Sequence, residues 1–500
     1  MIDTHPGYLV ALIVAVVLML GIGIWVARRN TSGEDFLLAG RRLGTPLLMG
    51  TTLATLVGTG SSLGAVGFAY ENGWAGALYG LGGALGTFLL LVLFADVRKY
   101  GFMTYAEEMS YYFGANMFIK GLVSLLMLLA SVGWLGAHIL GGSIYLSYLT
   151  GMGDTSAKIV VALSFGLYTI VGGYLAVVIT DAIQGFILFL GFTVLAALAF
   201  VHVGGMSGIR ENAPEEGLSL LGVEAVGPIP ALSLAVVVAI GVLATPSFRQ
   251  RIYSAADVKT VRRSFLIAGL LFLAFSILPA LAGLTAASME PGLENADMAF
   301  PYLATTLFPL WLGAFLLVAG LSATMSSGDS DAVAGVTILL RDVVQIFTGR
   351  VPRRENMVWL SRVALALVLT GALVGALVAT TIIDYITTMV STILTGLFAA
   401  SVLGRFWSRA TWVGGVAAMV GGSATALVVN NVDSFAEFWG NAVIPSLAAA
   451  FLCGIVFSLV TRPSRVTSEE ALRILAAERA VMDVGTSVRA GEGSGDKAES

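Results

Sequence analysis

The sequence predicts an all-α polytopic membrane protein, and three observations carry that prediction. Of its 500 residues, 57% are hydrophobic and only 12% charged, against about 25% charged in ordinary soluble domains. Apolar runs of the roughly 20 residues needed to cross a bilayer recur along almost the whole chain. The basic residues fall between those runs in a regular alternation. The net charge of -4 is too small to imply a charged partner, and no basic block marks a nucleic-acid surface.

We expect about thirteen spans: 8–27, 46–70, 75–95, 119–148, 159–174, 180–200, 231–245, 265–286, 311–340, 358–380, 382–406, 412–429 and 443–461. The first is followed by Ala-Arg-Arg rather than a small-residue cleavage site, so it reads as retained rather than as a signal peptide. The second contains Val57-Gly58-Thr59-Gly60-Ser61-Ser62-Leu63-Gly64, too rich in glycine and hydroxyls for a stiff helix. The third ends at Arg98 and Lys99. The fourth to sixth follow, and the seventh runs into Ala244-Thr245-Pro246, where proline removes a backbone donor. The eighth is plain. The ninth carries Leu321-Ser322-Ala323-Thr324-Met325-Ser326-Ser327-Gly328-Asp329-Ser330-Asp331 inside an otherwise membrane-spanning run. The last four are again apolar, and the thirteenth holds the single cysteine, Cys453, which has no internal disulfide partner and reads as core packing. Beyond Thr461, Ser468-Glu469-Glu470 opens a short amphipathic helix through Val481, and 485–500 is small, polar and disordered in composition.

Orientation follows from the basic residues. Arg28, Arg29, Arg41, Arg42, Arg98, Lys99, Arg249, Arg251, Lys259, Arg262, Arg263, Arg341, Arg350, Arg353, Arg354, Arg405, Arg409 and Arg462 all fall on one side of a thirteen-span arrangement, leaving Lys158 and Arg210 opposite. That side is the cytoplasm. The expectation is a multi-pass protein of the cell's plasma (inner) membrane, N-terminus outside and C-terminus cytoplasmic. The organisation is 1–45 as first helix and cytoplasmic loop, 46–200 and 201–406 as two repeated halves, 407–461 as two additional helices, and 462–500 as a tail.

The ninth span is the most informative. Polar groups at membrane depth are expensive and normally face a cavity, an ion path or a partner. Ala323, Ser326 and Ser327 share a helix face at i, i+3, i+4, which sets one carbonyl and two hydroxyls together as half a cage for a small hard cation. Serines that bond back one turn, as membrane serines often do, are the other reading. The irregular second and seventh spans lie five apart, and an odd offset reverses direction through the membrane. That is the pattern of a 5+5 inverted repeat with two discontinuous helices, whose midpoints expose carbonyls and helix ends to ligand. Glycines that merely allow close helix packing are the alternative. An enzyme is excluded: His5, His138 and His202 lie on distant segments and form no nucleophile, base or metal constellation.

Four signatures resemble the sodium:solute symporter family, which has the leucine-transporter type of inverted-repeat fold. They are Phe36-Leu37-Leu38-Ala39-Gly40-Arg41, the run Gly172-Gly173-Tyr174-Leu175-Ala176-Val177-Val178-Ile179-Thr180-Asp181-Ala182-Ile183-Gln184, Gln250-Arg251, and the segment from Ala323 to Ser330. The resemblance extends over about 8–461. It implies sodium as the coupling ion, held by carbonyls of Ala54, Val57 and Ala323 and hydroxyls of Ser326 and Ser327. Neutral oxygens suit an ion that must be released again. It also implies a possible second sodium at Asp181, Asp329 and Ser330, with Ser326 shared. Against this stands a reading in which Asp181 caps its helix and Asp329 pairs with an arginine.

The resemblance implies inward sodium movement coupled by alternating access to uptake of a small organic solute. Its partners are then that solute, sodium and the lipid bilayer. A proton-coupled or uncoupled carrier or channel of the same fold is the alternative. The substrate region lacks the polar set of the family's sugar carriers and offers a small, partly glycine-lined pocket near Thr59, Ser61, Ser62, Trp134, His138 and Thr245. Helix ends there suit a carboxylate or amino acid, and aromatic faces suit a quaternary amine. His138 reads either as a packed, hydrogen-bonded histidine or as a lining residue.

Overall fold

The computed structural model describes residues 5–27, 38–169, 173–213, 215–348, 354–464 and 466–487. Phe36, Leu37 and Gly172 of the signatures, the basic residues Arg28, Arg29, Arg350 and Arg353, and the tail from 488 onward lie outside them. Lipid offers backbone groups no partner, so each apolar run satisfies its own as helix. The principal helices are α1 (Pro6–Ala27), α2 (Thr45–Leu56), α3 (Ala65–Asn72), α4 (Ala77–Phe94), α5 (Tyr105–Tyr112), α6 (Met117–Thr150), α7 (Asp154–Thr169), α8 (Gly173–His202), α9 (Pro228–Ala244) and α10 (Pro246–Ser254). They continue as α11 (Val258–Phe275), α12 (Ile277–Met289), α13 (Leu310–Ile338), α14 (Arg354–Val378), α15 (Ile382–Met389), α16 (Thr395–Phe406), α17 (Trp412–Asn430), α18 (Val443–Val460) and α19 (Ser468–Ser487). Among the described residues the one extended pairing is an isolated bridge between Leu43 and Ala255.

Among the described residues, ten helical stretches are long and apolar enough to cross a membrane, eleven when the bent pair Leu220–Val226 and Pro228–Ala244 counts as one span. Thirteen were expected. The difference lies partly where a helix is interrupted, the run 46–70 dividing at Val57, and partly in the expected span 159–174, of which 170–172 lie outside the described residues. The ends that are sharp have local causes. Asn116 caps α6 by accepting a hydrogen bond from Ile119 N at 3.0 Å, and Gly151 closes it in the left-handed region at φ 66°.

α13 runs through the middle of the bundle against α6 and α8. Every residue from Ser322 to Ile338 on it is buried, so its polar stretch faces protein rather than lipid. Arg249 and Arg251, counted above as loop charges, are fully buried on α10. Arg249 donates to Glu108 Oε1 at 3.1 Å and lies 3.6 Å over the Phe94 ring. Glu108 also accepts from Tyr112 at 2.7 Å and from the Tyr253 hydroxyl. A buried ion pair persists only with such a full complement of partners. Lys158, also buried, pairs with Asp154 at 2.7 Å. α19 extends past the expected Val481 to Ser487 and docks through Lys120–Glu478 at 2.8 Å and Arg479–Glu107 at 2.9 Å. Cys453 is half-buried.

Candidate functional site

The site is built on two interruptions. α2 ends at Leu56; Val57 leaves helical geometry at φ -88°, ψ 57°, and the chain resumes as a π-helical turn over Gly60–Gly64, a form common at functional sites. A helix end leaves carbonyls without partners inside the helix, and here side chains supply some of them. Ser326 donates to the Ala54 carbonyl at 3.3 Å, and Ser327 lies 3.5 Å from the same oxygen and 3.4 Å from the Thr55 carbonyl. The two serines therefore reach across to α2 rather than bonding back along α13. Ala54, Val57, Ala323 and Ser326 are completely buried and Ser327 almost so. The arrangement is a set of neutral oxygens beside the negative end of a helix dipole, an environment that favours a cation.

The second interruption is at Thr245, extended at φ -68°, ψ 134° between α9 and α10. Proline at 246 pushes its predecessor out of helical geometry. Arg249 Nε caps the Leu243 carbonyl at 3.1 Å. Trp134 on α6 donates to the Thr245 hydroxyl at 2.9 Å.

Between the breaks lies a small cavity, with about 50 Å³ open to water-sized molecules. Thr59, Ser61, Trp134, His138 and Thr245 line it. Ser62, expected with them, is not among the lining residues: its hydroxyl is turned back onto the Gly58 carbonyl at 2.7 Å. His138 is both of the things proposed for it, a lining residue and a bonded one, with Nδ1 2.7 Å from Thr59 Oγ1 and Nε2 3.2 Å from Asp331 Oδ2.

At the possible second ion position, Asp181 is not a cap. It sits inside α8, fully buried, and its Oδ2 accepts from Thr51 at 2.7 Å, Ser330 at 3.0 Å and Arg251 Nη2 at 3.3 Å. The same Nη2 donates to Thr51 Oγ1 at 2.8 Å, to Ser330 Oγ at 3.0 Å and to Thr55 Oγ1. Asp181 and Ser330 thus come together around a guanidinium, with Asp329 buried one residue away on α13.

Sequence reasoning missed Asp331, Arg251, Tyr79 and Phe272 in this region. Asp331 is four residues beyond Ser327, hence on its face of the helix; that spacing was the available signal. Arg251 carried the Gln-Arg signature but was taken for a loop charge. Tyr79 and Phe272 come from α4 and α11, and only the tertiary fold brings them in.

A bundle built this way presents helix ends and a cavity to a ligand between membrane-spanning helices, and that defines the class: a membrane transport protein. Comparison with known sequences fixes the family. The chain belongs to the sodium:solute symporter family, whose profile matches residues 36–422. It is 26% identical over 475 residues to the sodium/pantothenate symporter of Haemophilus influenzae, covering 90% of this chain and 96% of that one. It is likewise 26% identical over 478 residues to the high-affinity proline transporter PutP of Bacillus subtilis, covering 90% and 98%. The human high affinity choline transporter 1 is 27% identical over 388 residues, covering 72% of this chain and 66% of that one. These relatives are transporters, not enzymes. Among solved structures, a Na+-coupled sialic acid symporter in a substrate-bound outward-open state superposes with TM-score 0.76 at 17% identity, covering 92% of this chain and 99% of the other. MhsT in complex with L-phenylalanine gives 0.56 at 14% identity, covering 83% and 99%. At such identities the likeness is one of fold.

Proposed function

We propose that this protein moves sodium inward and couples it by alternating access to uptake of a small organic solute. One observation carries the reading: the carbonyls freed where α2 breaks meet the Ser326 and Ser327 hydroxyls beside the cavity that the same break lines. Ala54, Val57 and Ala323 supply carbonyls and the two serines hydroxyls. The serine–carbonyl contacts of 3.3–3.5 Å are longer than ordinary O–H···O bonds of about 2.7–2.8 Å, so the hydroxyls are loosely held and free to turn onto an ion. One sodium crossing about 100 mV gains ~2.3 kcal/mol, and a tenfold gradient adds ~1.4 kcal/mol; together they support accumulation of several hundredfold.

We further infer a single coupling ion. Arg251 holds a fixed positive charge against Asp181 and Ser330, where a second sodium would need to bind. The arrangement we favour has thirteen spans, N-terminus outside and C-terminus cytoplasmic in the plasma membrane, with 46–200 and 201–406 as inverted halves. Relatives named for pantothenate, proline and choline leave the solute open among carboxylates, amino acids and quaternary amines. The test is uptake into proteoliposomes of radiolabelled proline, choline and pantothenate, with an inward sodium gradient and with equal sodium on both sides. Accumulation only under the gradient supports the symporter; accumulation that follows a proton gradient instead, or flux that only equilibrates, overturns it.

A further inference from the structure

The cavity between the two helix breaks contains one buried carboxylate whose second oxygen has no protein partner. Asp331 is 3% exposed and lines the cavity. Its Oδ2 meets His138 Nε2 at 3.2 Å, while Oδ1 is buried without a hydrogen bond. With the imidazole in the Nε2–H tautomer, both of its contacts are satisfied, the Thr59 hydroxyl donating to Nδ1 and the Nε2–H to Oδ2. The carboxylate charge then remains, facing the cavity.

Among the described residues, no lysine or arginine lines the cavity. The guanidinium of Arg251 is taken up by Asp181, Thr51, Ser330 and the Ser247 carbonyl at 2.9 Å. A buried anionic oxygen left unpaired is costly, and a ligand that brings a positive charge removes that cost. Trp134, Tyr79, Phe248 and Phe272 line the same cavity, and aromatic faces attract alkylated ammonium groups. A ligand carboxylate placed beside Asp331 meets like charge instead.

We propose that the transported solute carries an ammonium group, primary to quaternary, whose charge is held by Asp331 Oδ1 in this cavity, with His138 fixing the carboxylate from behind. The proposal rests on the reading of the cavity as the substrate site. It narrows the solute to amines and amino acids and sets aside simple carboxylates.

The test uses the purified full chain in detergent. The probes are methylammonium through tetraethylammonium, choline and proline, against 3,3-dimethylbutan-1-ol as the neutral isostere of choline and pantothenate as an anion. Each is titrated calorimetrically in sodium and in potassium chloride. The expected result is sodium-dependent binding of at least one ammonium probe, at least about 10-fold tighter than its neutral counterpart. Asp331→Asn then loses roughly 10- to 100-fold of that affinity, Asp331→Glu keeps part of it, and sodium still stabilises both variants against heating. Binding confined to neutral or anionic probes, or no ammonium binding while sodium still stabilises the protein, overturns the proposal and leaves the symporter standing. A protein that sodium stabilises no more than potassium does sinks the symporter reading itself. Asp331→Asn with reduced sodium stabilisation and unchanged ammonium affinity makes Asp331 an ion ligand and overturns the proposal as well.

Discussion

Replacing Asp181 by Asn separates a tethered cation from a second sodium. In the structure three donors converge on Asp181 Oδ2, and both Asp181 and Arg251 are completely buried. The amide keeps one acceptor oxygen, so part of the Thr51 and Ser330 hydrogen bonding survives, at about 0.5–1.5 kcal/mol each. The Arg251 charge does not fare as well. Stripping one partner from a buried ion pair costs about 3–5 kcal/mol, because the other charge is left uncompensated. Asp181→Asn should therefore unfold at a clearly lower temperature than wild type, and Arg251→Gln likewise. The double variant, a neutral amide pair, should recover most of the loss. The assay is thermal unfolding of the four proteins in detergent, in sodium and in potassium, read as a double-mutant cycle. A sodium activation curve of transport accompanies it, with wild type expected at a Hill coefficient near one. Additive losses in the cycle would refute the pairing. A loss confined to sodium, together with a wild-type Hill coefficient above one that falls in Asp181→Asn, would restore the second ion.

Three further outcomes follow from the same geometry. Ser326→Ala with Ser327→Ala should raise the sodium requirement at least about 10-fold, because hydrogen bonds and ligation to a charge are worth about 1.5–3 kcal/mol per group; unchanged sodium activation in the folded double variant would remove these serines from the ion site. Gly58→Ala places a methyl 2.6 Å from Ser327 Oγ, whereas Gly60→Ala places one 2.3 Å from the Tyr79 hydroxyl and 2.6 Å from Ile386 Cδ1. Overpacking of about 1–3 kcal/mol should thus fall mainly on sodium affinity in the first and on solute affinity in the second, with Gly153→Ala, open on all sides, silent in both titrations. Burial pushes the Asp297 carboxyl up to about 7, with Glu71 and Asp384 adding to the rise and the Ile382 N–H at 3.2 Å opposing it. The folded state therefore holds the proton more tightly than the unfolded chain, and stability falls as pH rises from about 4 towards 7; Asp297→Asn should flatten that slope in melting curves at pH 5, 6 and 7.5, and an equally steep slope would free Asp297 of the effect.

The membrane class and most helix positions were legible because both rest on long apolar runs, and lipid admits few backbone solutions to such a run. The breaks were legible too, from Gly58, Gly60 and Pro246. The reason for the glycines was not. Neither sits in the left-handed region; what excludes a side chain is the close approach of Ser327 to one and of Tyr79 and Ile386 to the other, and only the tertiary fold shows that. Ser326 and Ser327 could be picked out by helical spacing, but spacing says nothing of which way a hydroxyl turns. Charge was the hardest to read. Arg251 lies just past an apolar run and so counts as a surface charge on any hydropathy argument, yet its fully buried guanidinium ties α2, α8, α10 and α13 together. Asp331 was overlooked because the polar stretch was read as an ion segment ending at Ser330, although the same helical face continues.

The placement of the two breaks also explains how an ion can govern a solute without touching it. Gly58 lies against Ser327, and Thr59, immediately after it, is bonded to His138 and through it to Asp331. At the proposed sodium site, an ion that draws Ser326, Ser327 and the α2 carbonyls together would fix the same short segment that carries the cavity's polar wall. Trp134 ties the opposite break to that wall through Thr245. The conformational cost of ordering 57–59 is shared between two ligands, so whichever binds first leaves less for the other. Such coupling is reciprocal and typically about 1–3 kcal/mol, equivalent to roughly 5–150-fold in affinity. Because on this proposal the two ligands meet at a backbone segment and not at each other, the cavity wall could change its solute without changing the ion site, which accords with a family whose members are named for pantothenate, proline and choline.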